Sequence, residues 1–572
     1  MGYNCCNVAD PMEVQPLMPQ PSTPQAVGST PVKKIRRQTI QVVVPPQMRL
    51  FVEPATPLPK PPARPGRADF VDHDPFQIQV GNQRLDTYLE AAKVTWVFAF
   101  RKFLRRQDWS EFETSYKAGG RPPYAPAAML ALVLYGTLQG RGSLRELERL
   151  ARVDLACMWG TGGILPDHSV IGRFLFRHKE LLPQEFFETL TRDVVRETGG
   201  QCSDLSGDGT VVQAAATRYR LLSAEAAELV AAEARHEAVE SPQNADLQAR
   251  ATQSEAVAQV AQERAAARKA NGGNATGAVV SPSEPDAVLQ PLKDKSMAPS
   301  YKPSALANDQ RVVVAHSVHA SSEIQVLPGM IDQAERVGNG KVERLKLDAG
   351  YFAEDVLKLA CEKDIQVLCP EGKATSDISF EKVGKTKFAK NRFRYDEVSN
   401  TYTCPAGETL EPCRERSATA KYPGYVEYRT TACATCPLRE RCTDSPQGRA
   451  VSRYRGDELR EAQRIVMEHP KAREAYRARK AEIEPVFADL KGVQSLRRFR
   501  RRGLAKVQLE FALHVMAHNV RRMLILRGTA QGLSSANFAA LIAGLRLALV
   551  EWSREPFGPE WDSATAEAPI AA

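Results

Sequence analysis

Three acidic residues, widely separated along the chain, stand where a carboxylate can do more than solvate a surface. Asp208 opens Asp208-Gly209-Thr210-Val211-Val212, where a turn meets a strand, although a lone Asp-Gly step commonly marks only the turn. Asp348 closes the run Glu343 to Leu347 and precedes Ala349-Gly350-Tyr351. A carboxylate at such a strand end either faces a crevice or caps the helix that follows. Glu484 lies in the segment Lys480 to Lys491. On a continuous helix Lys480, Glu484, Phe487 and Lys491 share a face, because seven residues fall about 20° short of two turns. Such a Glu and Lys pair alone is commonly surface decoration, and Pro485 marks either a helix start or a kink. Glu482 and Asp204 are the neighbouring acidic rivals of Glu484 and Asp208.

A second set of ligating side chains is sulfur. Cys404, Cys433, Cys436 and Cys442 are spaced C-x28-C-x2-C-x5-C, with Cys413 as an extra candidate. Thiolates at short spacing can make a closed tetrahedral Zn2+ site that folds a coreless segment; the alternative is a set of reduced cysteines in a small β-rich insertion. Eleven cysteines in a cytosolic chain are expected to be mostly reduced. Two basic blocks could meet phosphates: Lys33, Lys34, Arg36 and Arg37, and the denser Arg497, Arg498, Arg500, Arg501 and Arg502. Each could also be an ordinary solvated face.

The elements around Asp348 read as a βαβ unit: a strand to Asp348, a turn, a helix Phe352 to Lys363 with Val356, Leu359 and Ala360 inward, and a strand Ile365 to Cys369. Upstream, Arg311 to Val318 and Glu323 to Leu327 are expected to pair as an antiparallel hairpin, followed by a helix near Met330 to Arg336. The segment Leu222 to Ala270, rich in Ala, Glu, Gln and Arg, suits a long exposed helix or helical hairpin, and Asn271 to Pro299 a loop. Toward the N-terminus, helical apolar spacing covers Leu85 to Phe112 and Ala127 to Leu138. Ser143 and Glu146 form a capping box, and Asp167 or Ser169 can start another helix. These short helices are similar to a helix-turn-helix module, or are plain helical packing. Phe511, Ala512, Val515 and Met516 give a packed helix on which His518 is a core or capping group. The Pro-rich stretch Asp10 to Gly66 cannot build a core and is expected to be a flexible arm.

The motifs Asp208-Gly209-Thr210, Asp348-Ala349-Gly350-Tyr351 and Glu484-Pro485-Val486-Phe487 with Lys491 occur in order behind Arg121-Pro122-Pro123-Tyr124 and Pro166-Asp167-His168-Ser169. Together, from about Trp109 to Leu526, they resemble insertion-sequence transposases of the IS1182 group, within the wider IS4/IS5-like DDE class. The wider class often shows Tyr-x2-Arg-x3-Glu-x6-Lys. Here Tyr476 and Arg479 keep their mutual spacing but stand one residue too far from Glu484, while Glu484-x6-Lys491 fits. The resemblance implies an α/β, RNase H-like mixed sheet with a helical N-terminal domain, an inserted helical segment and a small Cys-rich insertion. The expected limits are an arm over 1–75, a helical DNA-binding-like domain over 76–200, a catalytic domain over 201–530 with insertions at 222–300 and 400–445, and a C-terminal helix and tail over 531–572. It also implies catalytic, Mg2+- or Mn2+-binding Asp208, Asp348 and Glu484, since carboxylate oxygens suit hard divalent ions and can hold two of them. Lys491, Arg497, Arg498, Arg500 and Arg501 are the expected DNA contacts, and Cys404, Cys433, Cys436 and Cys442 the Zn2+ ligands.

The expected activity is metal-dependent cleavage and transfer of double-stranded DNA at terminal inverted repeats, by a homodimer assembled on DNA. Two alternatives remain open, a catalytically inactive sequence-specific DNA-binding protein and a plain nuclease that does not join ends. With 77 Lys and Arg against 68 Asp and Glu, the net charge of +9 suits a polyanionic partner. No apolar stretch approaches the roughly 20 residues that span a bilayer, and the first residues lack a signal-peptide core. A soluble, cytoplasmic and nucleoid-associated protein is therefore expected.

Overall fold

A computed structural model of the chain describes residues 69–533 apart from 118, 120, 271, 373–386, 419–423, 531 and 532. The first basic block, nearly all of the N-terminal arm and nearly all of the C-terminal segment lie outside the described residues. Eight helices come first: α1 (Leu85–Ala91), α2 (Trp96–Arg105), α3 (Ser110–Thr114), α4 (Pro126–Leu138), α5 (Leu144–Val153), α6 (Leu155–Thr161), α7 (His168–Arg177) and α8 (Glu185–Thr198). Their starts are written in the sequence. Ser143 and Glu146 form a reciprocal capping box at α5, and Asp167 Oδ1 accepts from the Ser169 and Val170 N–H groups at α7. Helix α4 is apolar all round, and all but one of its residues are buried, so it is a central strut.

The main sheet is mixed. Its core strands are β1 (Asp204–Gly209), β2 (Met297–Ala307), β3 (Val313–His319), β4 (Arg344–Lys346) and β5 (Gln366–Leu368), in the spatial order β3-β2-β1-β4-β5. β2 is antiparallel to β1 and β3; β4 is parallel to β1 and β5. Between β1 and β2 the chain makes an antiparallel pair of long helices, α9 (Ala224–Glu240) and α10 (Ala245–Ala270). Ala227 and Ala231 of α9 pack on Val257, Ala258 and Ala261 of α10. Helices α11 (Leu327–Gly338) and α12 (Glu354–Lys363) complete the crossovers, and α13 (Asp457–Glu468), α14 (Pro470–Gly492) and α15 (Leu504–Leu526) close the fold.

Two expectations are corrected here. The hairpin partner of β3 is β2, and Glu323 lies in a turn before α11 instead of in a strand. β2 contains Pro299 and Pro303 and few β-branched residues, so propensity hid it. Its prolines still accept: Thr210 N–H donates to Pro303 O at 2.9 Å and Ala214 N–H to Pro299 O at 2.8 Å. The segment after α10, expected as a loop to Pro299, holds short strands at Val279–Val280 and Val288–Pro291 and the start of β2.

Helix α15 packs on α4, α8 and β3. Asn519 is fully buried there and forms both hydrogen bonds of a backbone edge, accepting from Val313 N–H and donating to Val313 O, each at 2.8 Å. One continuous apolar core therefore joins the N-terminal helices, α15 and part of the sheet, with Phe100, Leu132, Phe187, Val313 and Phe511 all fully buried. Helix α14 runs unbroken through Pro485. Proline lacks the N–H that would reach Ala481 O, and that carbonyl instead accepts from Arg311 Nε at 2.9 Å. A separate antiparallel sheet, β6 (Arg394–Asp396), β7 (Thr401–Thr403), β8 (Thr409–Arg416), β9 (Tyr425–Arg429) and β10 (Val451–Tyr454), pairs in chain order. No helix among the described residues is long and apolar enough to cross a membrane.

Candidate active site and nucleic-acid interface

The parallel register pairs Asp204, Leu205 and Ser206 with Arg344, Leu345 and Lys346. Continued by two residues, it sets Asp208 level with Asp348 at the carboxyl ends of adjacent strands, where α/β sheets open a crevice. Burial pushes the Asp208 carboxyl up to about 6; Arg479 opposes this, while Asp348 and Glu323 add to it. Asp348 Oδ1 accepts from Gly350 N–H at 2.9 Å and so caps the turn Ala349–Tyr351. Asp348 thus caps this short turn and not helix α12, whose N-cap position is Ala353, and it stands near the Asp208 carboxyl.

Helix α14 is fixed across β1 by a buried polar network. Lys346, 3% exposed, reaches Glu482 Oε2 at 2.7 Å and Asp204 Oδ1 at 3.0 Å, and Ser206 Oγ donates to the same Glu482 oxygen at 2.5 Å. The two acidic rivals are thus committed to holding the helix. Arg479, also buried, donates from Nε to Gly207 O at 3.2 Å and places a guanidinium nitrogen 3.3 Å from Asp208 Oδ1. Tyr476 looks into the same crevice. Burial raises its phenol, Cys369, Asp348 and Asp208 add to the rise, and Arg479 opposes it. At the other end of the helix Lys491 donates to Thr210 Oγ1 and, at 3.3 Å, to Val211 O. Burial and then Lys293 lower its ammonium, with Asp208 opposing.

Glu484 is exposed on α14, on the flank that carries Lys491. The structure therefore brings Asp208 and Asp348 together, with Arg479 and Tyr476 beside them, and leaves Glu484 in solvent. Among the described residues, no three His, Cys, Asp or Glu side chains are gathered tightly enough to hold a metal ion as they stand. Sequence reasoning missed Glu323, which is buried beside this pair and bound to Lys302 Nζ at 2.8 Å. Its only sequence signal is its place before the α11 proline, Pro328, and that says nothing about where its side chain points.

The arginine block lines a cavity of about 870 Å³ together with Phe176 of α7, Lys179 just after it and Lys506 of α15. Its members differ in use. Arg497 and Arg500 are exposed. Arg498 donates to Ala214 O and Ala216 O, both at 3.0 Å, and braces the chain beyond Asp208. Arg501 is ion-paired with Glu510 at 3.8 Å, and that buried glutamate also accepts from the Arg500 and Arg501 N–H groups.

In the small sheet Cys404, Cys433, Cys436 and Cys442 line one cavity of about 20 Å³. Burial pushes the Cys442 thiol up; Arg449 opposes this, and Cys433, Cys404 and Cys436 add to it. Cys413 stands apart, exposed, with its thiol toward Glu427 O at 3.3 Å.

Residues 403–524 match a family described as Transposase DDE domain, and residues 92–177 match one described as Transposase domain (DUF772). The first match includes the four cysteines, Glu484, Lys491 and the arginine block; Asp208 and Asp348 lie outside both. Both matched families are described as transposase domains, and each match covers less than half of the chain. Comparison with curated proteins gives no match.

Proposed function

We propose that the chain is a DDE transposase of RNase H-like fold and of the IS1182 group, cutting double-stranded DNA at terminal inverted repeats and joining the ends to target DNA. The observation that carries this reading is the pair Asp208 and Asp348, level on adjacent parallel strands and close enough for Asp348 to add to the rise of the Asp208 carboxyl. The sheet order β3-β2-β1-β4-β5, with only β2 reversed, supports the fold.

Asp208 and Asp348 would hold Mg2+ or Mn2+, and Glu484, exposed on α14, would have to turn toward them to complete the set. The chemistry supplied by such ions is activation of water or a 3′-hydroxyl and stabilisation of the leaving oxygen. The protein's own groups do the positioning. Arg479 fixes the Asp208 carboxylate and offsets its charge, and the Lys346 network fixes α14 against β1. Lys491 stands beside Thr210, placed to meet a phosphate, and Arg497 and Arg500 extend the basic surface along which a DNA backbone would lie. Cys404, Cys433, Cys436 and Cys442 would supply the donor set of a closed structural Zn2+ site; they line one pocket together with Phe388, Phe393 and Leu410 and would have to draw closer to one another to hold the ion. A homodimer on DNA and a cytoplasmic, nucleoid-associated location belong to the same reading.

The test is cleavage and strand transfer on oligonucleotides bearing the element's terminal repeats, with Mg2+ or Mn2+. Joined products support a transposase, and cutting without joining supports a plain nuclease. The exposure of Glu484, outside any metal-holding group, favours a second reading, a DNA-binding protein without catalysis. Salt-sensitive binding with no cleavage under any divalent ion would establish that one instead.

A further inference from the structure

We propose that Glu323 is a third carboxylate of the crevice, supplying an oxygen ligand to the divalent ion held by Asp208 and Asp348 in exchange for its resting ion pair with Lys302. The inference rests on the DDE reading above and adds to it a residue outside the three acidic motifs.

The geometry comes from two glycines. A Cβ placed on Gly209 would stand 2.5 Å from Glu323 Oε2, and one placed on Gly350 would stand 2.8 Å from Glu323 Oε1 and 3.1 Å from Asp348 Oδ1. The Glu323 carboxylate therefore occupies the room left by two missing side chains, one directly after Asp208 and the other two residues after Asp348. Any larger residue at either position would push it out. Gly350 has no positive φ to require glycine, so room for the carboxylate is the reason left.

Three carboxylates in so small a space repel one another unless cations intervene. Two make direct ion pairs, Lys302 Nζ 2.8 Å from Glu323 Oε2 and the Arg479 guanidinium 3.3 Å from Asp208 Oδ1, and Lys491 also acts on Asp208. Hard oxygen donors gathered in this way are what a divalent cation selects. A further oxygen points to the same place. Ser304 Oγ is fully buried, makes no hydrogen bond of good geometry among the described residues although the Tyr351 phenol stands beside it, and lies 3.1 Å from the Cβ position of Gly209. A buried hydroxyl left without such a bond is costly in a structure otherwise well satisfied, and a ligand or its water shell would satisfy it.

If Glu323 only anchors Lys302, losing either partner has the same consequence. If it is a ligand, the two separate. Mn2+ titrated into the full-length protein, followed by electron paramagnetic resonance, measures binding without turnover. The expected results are loss of binding in Asp208→Asn, affinity weakened by about tenfold or more in Glu323→Gln, and unweakened affinity in Lys302→Met. Should Glu323→Gln fail to fold, Gly350→Ala replaces it, since the added Cβ displaces the carboxylate and weakens Mn2+ binding. Affinity within about twofold of wild type in the folded Glu323→Gln protein, or in Gly350→Ala if that must stand in, overturns the inference, provided Asp208→Asn still abolishes binding. Absence of Mn2+ binding by the wild-type protein, or binding that Asp208→Asn leaves intact, overturns the DDE reading itself.

Discussion

The two sheets of the molecule hold their reactive groups by opposite means. In the main sheet Leu205, Leu306, Val314, Leu345 and Leu347 are all at most 1% exposed, and this packing fixes the strand ends from which Asp208 and Asp348 project. In the small sheet the fully enclosed apolar residues are few, Phe393, Tyr402, Leu410, Tyr428 and Val451, and β8 is exposed along its length except at Leu410. The first sheet can carry uncompensated charge because its backbone is already fixed. The second has too little burial to order itself and gathers four thiols where a cross-link would sit.

The largest expected effect is on the small sheet. Cys442→Ser would remove one of the four proposed Zn2+ ligands, and metal binding contributes on the order of 10 kcal/mol to such sites. Amides of β9 and β10 should then lose hydrogen-exchange protection while β1 and β4 keep theirs, and Cys413→Ser should change neither. Next comes Asp208→Asn or Asp348→Asn, expected to lower single-turnover cleavage by about a thousandfold or more, roughly 4 kcal/mol of barrier, with melting of the small sheet unchanged. Lys346→Ala leaves the buried Glu482 without its cation, while Asp204 keeps Arg344. It should cost about 3 kcal/mol in chemical denaturation, all of it in the main sheet.

A smaller effect follows from His316, buried against Phe187 and Phe511, where burial holds the imidazole down at about 4. The unfolded chain takes up a proton below about pH 6.5 and the folded chain does not, so the stabilisation is complete above that pH and lost as pH falls toward 4. Unfolding free energies from denaturant titrations at pH 7.5 and 4.5 should differ by roughly 2 kcal/mol more in wild type than in His316→Leu. The smallest is Arg497→Ala, expected to lower the slope of log affinity for DNA against log salt by about 1 without altering stability. Arg498→Ala, by contrast, should destabilise the fold because its guanidinium holds Ala214 O and Ala216 O.

Local rules were legible where they depend on neighbours in sequence. The capping box at Ser143, the cap at Asp167, the βαβ unit ending in β5 and the alanine-rich helical hairpin all follow from spacing and residue type. What stayed hidden depends on partners far away. β2 is made a strand by pairing on both edges, against the preference of its prolines. Glu323 gains its setting from two glycines on other strands' loops, and the rivals Asp204 and Glu482 are separated from Asp208 and Glu484 only by which of them meets Lys346. Glu484 was singled out by helical spacing, which fixes a face but cannot say how near that face comes to the aspartates.

Arg311 and Pro485 are joined by a debt one creates and the other settles, since the guanidinium serves the carbonyl that the imino acid leaves unused. The two positions should therefore show epistasis. Alanine at 485 restores an internal donor and frees 311 to drift, whereas altering 311 while proline persists hands Ala481 O back to solvent. In a pairwise thermodynamic cycle the double replacement would be milder than the sum of its parts.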